Sequence, residues 1–185
     1  MGRWKHVKWT EAGQLTSILG WPPSDDDAAA PEVFFDQLRA KGEEHRAAMF
    51  LGQALARFEV VSWAARSVRE LSPPDMPRAD ADALKTAFLW LQDPSEHRRR
   101  AAFEAAEAAG EVSPQRLCAL AVFFSGGSMA PDTVQPVLAP KEAAGKFAAG
   151  AVLSAAAAAG NPREALAEAL KLGEALASGS EPDRP

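Results

Sequence analysis

A run of apolar residues from Leu117 to Phe124 directly follows a helix-start signal, and it constrains the fold more than any other feature. Ser113 and Pro114 supply the hydroxyl N-cap and first-turn proline that are typical of a helix N terminus. Apolar residues alone would also suit a buried strand, and the cap signal decides for helix. Because a helix that is apolar on all sides has no face for water, we predict a buried central helix. Gly126 and Gly127 can supply the left-handed turn that ends it.

The rest of the chain also favours helix, because alanine is abundant, β-branched residues are few and alternating apolar runs are absent. A chain of 185 residues is long enough for one domain with a substantial core. No fixed repeat period is present, which argues against a solenoid of helix pairs. We therefore predict an all-α fold, an irregular bundle of about seven to eight helices around the buried central helix.

Cap, proline and glycine signals divide the chain into helices. The predicted ranges are about 31–41, 43–57, 59–71, 81–92, 94–109, 114–124, 141–159 and 162–177. Asp93 is predicted to be the N-cap of the fifth of these helices. A bend near Arg57 is inferred only from drift of the apolar stripe, because neither proline nor glycine stands there. On the first helix, Val33, Phe34 and Leu38 are predicted to face inward.

Composition divides the chain into four segments. These are an aromatic and basic N-terminal arm, residues 1–21; a linker, residues 22–31; an α-helical domain, residues 32–178; and a disordered tail, residues 179–185. Within the arm, Thr10 is expected to cap a short helix. The proline-rich and acidic residues between the arm and the domain are typical of a linker.

The arm contains Trp4, Trp9 and Trp21, three of the five tryptophans of the chain. The tryptophans either fold back onto the domain or dock on a partner, because aromatic residues concentrate in interface hot spots. Folding back is favoured, since exposed tryptophans are costly without a partner.

Charge and cysteine content restrict the classes of partner. A net charge of −5 argues against binding to nucleic acid, which requires a basic surface. The single Cys118 cannot form an internal disulfide, which fits a reducing compartment. The N terminus lacks the apolar run of a secretory signal, and the alanine-rich stretch 147–159 is too short to span a membrane. We therefore expect a cytoplasmic protein with neither a membrane nor a nucleic acid as partner.

The turn from Ser125 to Ser128 has two functional interpretations that the spacing rejects. A phosphate-binding loop needs its glycines before a helix, whereas Gly126 and Gly127 follow one at its negative end. A nucleophile elbow needs Gly-x-Ser-x-Gly between a strand and a helix, and that pattern is absent. The turn is best interpreted as a helix C-cap that leads into the loop 126–140. Together with Met129, it is a candidate recognition surface, since loops on rigid scaffolds often are.

Arg98, Arg99 and Arg100 are three consecutive basic residues. They could bind an anion or an acidic partner, and Arg98 and Arg99 are candidates for a partner surface. The favoured interpretation is a solvent-facing helix side, because Glu96 and Glu104 lie four residues either side of Arg100.

No set of residues indicates catalysis or a metal. His6, His45 and His97 are far apart, without His-x-x-x-His or Cys-x-x-Cys spacing. Cys118 lies in the most apolar stretch, which suits a packing thiol rather than a nucleophile. We therefore predict no cofactor and no metal, and a protein that is not an enzyme.

Three motifs resemble a family of uncharacterised bacterial proteins known only as a domain of unknown function. The motifs are Phe50-Leu-Gly-Gln-Ala-Leu-Ala-Arg57 with Trp63-Ala64; Asp93-Pro-Ser95 through Arg98-Arg-Arg100 and 105–109; and Phe124-Ser-Gly-Gly-Ser-Met-Ala-Pro131. The resemblance covers about residues 32–178, and the last motif is the most specific. The resemblance implies an α-helical protein whose gene often lies near type VI secretion components, such as spike-tip proteins and their adaptors. It supplies no active-site residues.

Two functions remain open, and an enzyme is the least supported class. The first is a non-catalytic helical accessory or adaptor protein that binds another protein, with self-association also allowed. The alternative is a small-ligand or anion-binding domain that uses the 126–140 loop and an arginine from 98–100.

Overall fold

The computed structural model describes residues 2–131 and 133–180, and within them the chain is an all-α bundle without strands. The α-helices are α1 (Ala12–Leu19), α2 (Pro31–Ala40), α3 (Glu44–Ala54), α4 (Arg57–Leu71), α5 (Arg78–Gln92), α6 (Glu96–Ala108), α7 (Pro114–Phe124), α8 (Ala143–Ala158) and α9 (Pro162–Ser178). A short 3₁₀ helix (Asp25–Ala28) precedes α2. The predicted all-α bundle is therefore confirmed.

Helix α7 is the buried central helix that the apolar run predicts. The Ser113 hydroxyl accepts a hydrogen bond from the Arg116 N–H at 3.1 Å, and Pro114 occupies the first turn. Residues 118–123 are all buried. Helix α7 packs against α4, α5, α6 and α8. A helix surrounded in this way needs no polar face, which explains the absence of amphipathic spacing in its sequence.

Helix α8 lies beside α7 and contributes mainly small side chains to the core. Its buried positions are Gly145, Ala148, Ala149, Ala151, Val152, Ala155 and Ala156. At its start the backbone comes very close to α3, because a Cβ added to Gly145 would lie 2.5 Å from the Gly52 carbonyl oxygen. Glycine on both helices permits this close approach.

Helices α3 and α4 are separated by a full break rather than a bend. Leu55 and Ala56 both adopt extended backbone, with ψ of 141° and 168°. Leu55 is buried in the core, so burial of its side chain helps to hold the break without proline or glycine. The break lies one residue before the predicted bend at Arg57.

Two predicted helix starts are wrong. Asp93 is not the N-cap of α6, because it terminates α5 and the N-cap of α6 is Ser95. The Asp93 carboxylate instead accepts hydrogen bonds from Ser95 and Arg98. The N-cap of α1 is Glu11 and not Thr10. The Gln14 side chain accepts hydrogen bonds from the backbone N–H groups of Thr10 and Glu11.

The inner side of α2 differs from the prediction at one position. Val33 is 47% exposed, whereas Phe34, Phe35 and Leu38 are buried. The buried face of α2 is therefore turned toward Phe35, whose ring contacts Trp4 with 5.3 Å between ring centroids. The N-terminal segment supplies this neighbour, so the orientation of α2 depends on residues before the helical domain.

Residues 2–21 fold back onto the helical bundle. Trp4 is buried in the core, and the Arg3 guanidinium makes two hydrogen bonds to the Asp36 carboxylate and one to Glu174. The hydrogen bond and charge of Asp36 raise the pKa of Arg3. The His6 N–H donates to the Ala177 carbonyl at 2.9 Å. Of the two interpretations of the tryptophan-rich segment, docking on its own domain is the one that the structure shows.

The segment predicted to be a linker is partly ordered by contacts to α1. The Ala12 N–H donates to the Ala29 carbonyl at 2.8 Å, and Thr16 donates to the Asp27 carboxylate at 3.3 Å. Of the predicted tail, Gly179 ends α9 with φ of 66°, and residues 181–185 lie outside the described residues. None of the described helices combines the length and apolar character that crossing a membrane would require.

Candidate functional site

Helix α6 places Arg99 under the turn that follows α7. The guanidinium donates to the Phe123 carbonyl and the Ser128 carbonyl, both at 2.6 Å. It also makes a bidentate pair with Glu96, with both N···O distances at 2.7 Å. The side chain is 5% exposed, and its guanidinium carbon lies 4.7 Å from the centroid of the Phe123 ring. Every contact of this cation is therefore inside the domain.

Arg100 extends the same network along the loop. It donates to the Ala130 carbonyl at 2.8 Å and more weakly to the Ser128 carbonyl, and it pairs with Glu96 at 2.9 Å. We call Glu96, Arg99 and Arg100 the arginine cluster. The arginine cluster connects the second motif of the sequence with the third. Its two arginines donate hydrogen bonds to carbonyl groups at the C-terminal end of α7 and in the turn that follows.

The arginine cluster affects the ionisation of Glu96. Its hydrogen bonds with Arg99, together with the charges of both arginines, lower the pKa of Glu96. The carboxylate therefore stays charged over a wider pH range than an ordinary glutamate, and the cluster is held together at neutral pH.

The predicted solvent-facing side of α6 is wrong for Arg99, which is buried. Arg98 behaves as predicted for a surface residue, since it pairs with Asp93 at 3.3 Å and remains partly exposed. The predicted pairing of Arg100 with Glu96 is present. Arg99 is buried because the carbonyl groups at the C-terminal end of α7 need hydrogen-bond donors, and α6 passes beneath them.

The residues of the turn from Ser125 to Ser128 differ in how exposed they are to solvent. Ser125 is buried and donates from its hydroxyl to the Val122 carbonyl at 2.8 Å. Gly127 has φ of 70°, and a Cβ there would lie 2.9 Å from Arg99 Nε. The predicted left-handed exit from the central helix is therefore at Gly127, and glycine is needed there for conformation and for space.

Ser128 and Met129 start a narrow turn-back of the loop. The Ser128 hydroxyl accepts hydrogen bonds from the N–H groups of Ala130 and Val137, at 3.0 and 3.1 Å. Met129 donates to the Val137 carbonyl at 2.7 Å, and Ser128 forms an isolated antiparallel bridge with Leu138. Asp132 lies outside the described residues. The described ends of the loop are thus tied together at their base.

A cleft of about 810 Å³ opens beside this turn. One wall comes from the N-terminal segment, through Lys8, Trp9, Gln14 and Ile18. The opposite side comes from the break between α3 and α4, from the Phe124–Gly127 turn and from residues 138–145. Four separate stretches of the chain therefore meet at one surface depression.

Three cationic side chains line the cleft: Lys8, Arg57 and Lys141. All three are exposed, and none makes an ion pair with any residue in 2–131 or 133–180. The Arg57 guanidinium lies directly against the Gly126 backbone, where an added Cβ would collide with it. No aspartate or glutamate among the described residues lines this cleft. The surface is locally positive on a chain with a net charge of −5.

Exposed aliphatic residues lie on the loop that contributes Leu138 to the cleft. Leu138 is 75% exposed and lines the cleft, and Val134 and Val137 are about half exposed. Phe124 also lines the cleft, and its ring stacks on Phe147 at 4.9 Å between centroids. Single exposed aliphatics are common on proteins, but three on one anchored loop form a patch.

The three tryptophans proposed from sequence separate into different environments. Trp4 is buried against Phe35 and is inaccessible to a partner. Trp21 is half-buried beneath the Arg46 guanidinium, at 4.4 Å from the ring centroid. Trp9 is 37% exposed and lines the cleft. Trp9 is thus the tryptophan of the three that adds to this surface.

Cys118 is completely buried, and burial raises the pKa of its thiol. This agrees with the predicted packing role, because a buried neutral thiol is a poor nucleophile. Among residues 2–131 and 133–180, no three His, Cys, Asp or Glu side chains come together as a metal site would require.

Sequence reasoning missed the cationic residues of the cleft. Lys8, Arg57 and Lys141 are far apart in the sequence and carry no common motif. The aliphatic residues of the loop gave a usable signal, because Val134, Val137 and Leu138 lie in a loop that is otherwise rich in proline, glycine and small residues. Such residues have no core to enter unless the loop folds inward, so they mark an exposed patch.

Comparison with known proteins gives a family without an assigned activity. Residues 34–177 match the profile of a family of unknown function, DUF6931. No curated protein and no solved structure is detectably similar to the chain. The matched range contains all three motifs and the arginine cluster, whereas Lys8 and Trp9 lie before it. Because this match covers well over half of the chain, the protein belongs to this family of unknown function.

Proposed function

We propose that the protein is a non-catalytic accessory or adaptor protein that binds another protein through the 126–140 loop and the adjoining cleft. One observation carries the proposal: three exposed aliphatic residues lie on a loop whose base is anchored by Arg99, which is buried, and by Arg100, which is partly exposed. An exposed apolar patch on a well-ordered support is the usual character of a docking surface.

The anchoring matters because a loop that is already ordered loses little conformational entropy when it binds. Hydrogen bonds to the carbonyls of Phe123, Ser128 and Ala130 hold one end of the loop. The Met129–Val137 hydrogen bond holds the other end against it. The aliphatic side chains between these points are therefore presented in a limited range of positions.

Several groups that could serve in a reaction are occupied in packing or in structural hydrogen bonds. Cys118 is enclosed in the core, and Glu96 is paired with Arg99 and Arg100. Asp80 is buried and accepts the Gly110 N–H at 2.9 Å. This use of the polar side chains supports a role in binding rather than in catalysis.

The resemblance to proteins encoded near type VI secretion components suggests where the partner acts. We propose a cytoplasmic accessory role in which the partner is a component of that machinery or a protein loaded onto it. Support comes from the Phe124–Pro131 motif, which forms the turn at the edge of the cleft.

The test uses affinity capture from the source organism, followed by calorimetry with the purified partner. The variant Val134→Ser, Val137→Ser, Leu138→Ser removes the apolar patch without touching the core. A double variant, Val33→Ser with Val112→Ser, is the control, because both valines are exposed elsewhere on the surface. We expect the loop variant to weaken binding at least about tenfold, the equivalent of roughly 1.4 kcal/mol.

A partner that binds the loop variant and the control variant equally well would contradict the proposal. Failure of the wild-type protein to retain any partner in purified form would also contradict it. Thermal unfolding of both variants shows whether the fold is intact.

A second candidate function is binding of a small anion in the cleft, favoured by Lys8, Arg57 and Lys141. These cations replace the arginines of α6 as the expected ligands, because Arg99 and Arg100 are already bound to loop carbonyls. A thermal-shift screen with phosphate, nucleotides and acidic metabolites tests it, since a ligand of the folded state raises the melting temperature. Unchanged melting temperatures at millimolar ligand would contradict this function.

A further inference from the structure

The charge and shape of the cleft indicate what part of a protein partner it accommodates. We propose that it binds an extended segment of the partner in which acidic and aliphatic residues are interspersed. Carboxylates would face Lys8, Arg57 and Lys141, and aliphatic side chains would contact Trp9 and Leu138. This inference rests on the proposed function and adds the chemistry of the partner.

The first argument is charge complementarity. The chain has 20 Lys and Arg residues against 25 Asp and Glu residues, yet the described residues that line the cleft include three cations and no acid. Nearby Glu142 is paired with Lys146 at 3.8 Å, on the same helical turn. A positive patch attracts negatively charged groups on an approaching partner.

The second argument is that the cations are exposed rather than enclosed. Exposed ion pairs each contribute little free energy of binding, so a single small anion gains little from any one of these cations. A polypeptide that carries several carboxylates can use all three together. The cleft of about 810 Å³ is also at the large end of the range for small-molecule sites.

The third argument is the mixture of apolar and cationic groups along the same cleft. Trp9, Ile18, Phe124 and Leu138 line it together with the cations. This apolar surface increases the affinity for a polypeptide with aliphatic side chains, which a phosphate ion or a carboxylate metabolite lacks. Arg57 is also held in place, since its guanidinium packs on the Gly126 backbone. This arrangement suits alternating acidic and aliphatic side chains.

The probe is a fluorescein-labelled dodecapeptide in which Asp and Leu alternate, measured by fluorescence anisotropy with the full chain. A matched peptide with Asn in place of every Asp keeps the size and the apolar residues but removes the charge. We expect the acidic peptide to bind at least about tenfold more tightly than the amide peptide. Raising NaCl from about 50 mM to about 300 mM should weaken binding of the acidic peptide, because salt screens exposed charges.

A triple variant, Lys8→Ala, Arg57→Ala and Lys141→Ala, tests the cleft directly. We expect it to raise the Kd of the acidic peptide about tenfold, through the loss of three surface pairs. The control triple variant is Lys5→Ala, Lys85→Ala and Arg163→Ala, which removes the same charge from exposed residues outside the cleft. It should leave the Kd within about twofold.

Three outcomes overturn the inference: equal binding of the two peptides, equal effects of the two triple variants, or displacement of the acidic peptide by inorganic phosphate at similar concentration. The last outcome assigns the cleft to a small anion.

The proposed function is judged separately. If the natural partner depends on Val134, Val137 and Leu138 but not on the three cations, the protein-binding role stands and the acidic segment is wrong. If neither set affects the natural partner, both are wrong.

Discussion

Arg99 is buried and donates hydrogen bonds to two carbonyl groups, those of Phe123 and Ser128. We expect Arg99→Ala to lower the free energy of unfolding by about 2–3 kcal/mol. The reason is that the variant leaves the buried Phe123 carbonyl without the Arg99 donor and removes the shorter of the two arginine hydrogen bonds to the Ser128 carbonyl; an unsatisfied buried polar group costs about 1–3 kcal/mol. Urea denaturation measures the change.

Arg98→Ala is the matched control for this prediction, since the neighbouring arginine is partly exposed and pairs only with Asp93 among described partners. We expect it to change the free energy of unfolding by less than about 1 kcal/mol. Equal losses in the two variants would show that Arg99 has no special structural role.

Glu96 links the arginine cluster to pH, because its pKa is lowered in the folded state by hydrogen bonding to Arg99 and by the nearby arginine charges. A group whose pKa is lower in the folded state stabilises the protein above its unfolded pKa. That contribution is lost as pH falls through the folded pKa. We expect the difference in free energy of unfolding between wild type and Glu96→Gln to be present at pH 7 and to decrease as the pH falls below about 4.3, the ordinary pKa of glutamate.

The same substitution in an Arg99→Ala background isolates the cause. If the pH dependence comes from Arg99, the difference in free energy of unfolding between Arg99→Ala and the double variant Glu96→Gln, Arg99→Ala should vary much less with pH. A pH dependence of unchanged size would assign the effect to other groups.

At the scale of elements, the crossing of α3 and α8 depends on glycine. A Cβ on Gly145 would meet the Gly52 carbonyl at 2.5 Å and would collide with the Gln53 side chain. Since backbone atoms cannot give way, we expect Gly145→Ala to push the helices apart and to lower stability by about 1–3 kcal/mol. Thermal and urea unfolding measure this loss.

Gly150 provides the control on the same helix, because a Cβ there would meet only Leu117 Cδ1, at 3.6 Å. We expect Gly150→Ala to maintain or raise stability by up to about 1 kcal/mol, through the better helix propensity of alanine. A loss at Gly150 equal to that at Gly145 would contradict the close-approach explanation.

The Ser128 hydroxyl helps to hold the turn-back of the loop, because it accepts hydrogen bonds from the N–H groups of Ala130 and Val137. We expect Ser128→Ala to speed hydrogen exchange of the loop amides while changing global stability by less than about 1 kcal/mol. Exchange monitored by mass spectrometry checks this. Unchanged exchange in the loop would mean that the arginine cluster and the Met129–Val137 backbone hydrogen bond order it without the hydroxyl.

Elements were predictable where a local signal decides them. The Ser113–Pro114 start of α7, the Asn161–Pro162 start of α9 and the glycine exit at Gly127 are all present. The break at Leu55 was placed less well, because it depends on burial of a side chain in the assembled core rather than on a local breaker. Start signals act within one turn of chain, whereas burial depends on the whole fold.

The candidate site was less predictable than the fold. The turn residues from Ser125 to Met129 were identified from their motif. The burial of Arg99 was not, because a sequence gives no sign that carbonyls from α7 lie above α6. Lys8 and Lys141 meet only through tertiary packing. Helical periodicity describes which residues share a face, and it does not describe which other element covers that face.

At the scale of the whole molecule, the N-terminal segment is both part of the core and one wall of the cleft. Trp4 is buried against Phe35, whereas Trp9 is partly exposed and lines the cleft. The two residues share a type and a segment but differ in environment. Substitutions at these two positions therefore distinguish the structural role of the segment from its proposed role in binding.

We expect Trp4→Ala to lower the free energy of unfolding by about 3–5 kcal/mol, because it leaves a large cavity beside Phe35. Trp9→Ala should change it by no more than about 0.5 kcal/mol, since a partly exposed side chain on a surface contributes little to folding. The acidic dodecapeptide should bind the folded Trp9→Ala protein several-fold more weakly than wild type. Stability is measured by urea unfolding and affinity by anisotropy. If Trp9→Ala destabilised the protein as much as Trp4→Ala, the wall of the cleft would be part of the core, and its side chain would not be available to a partner.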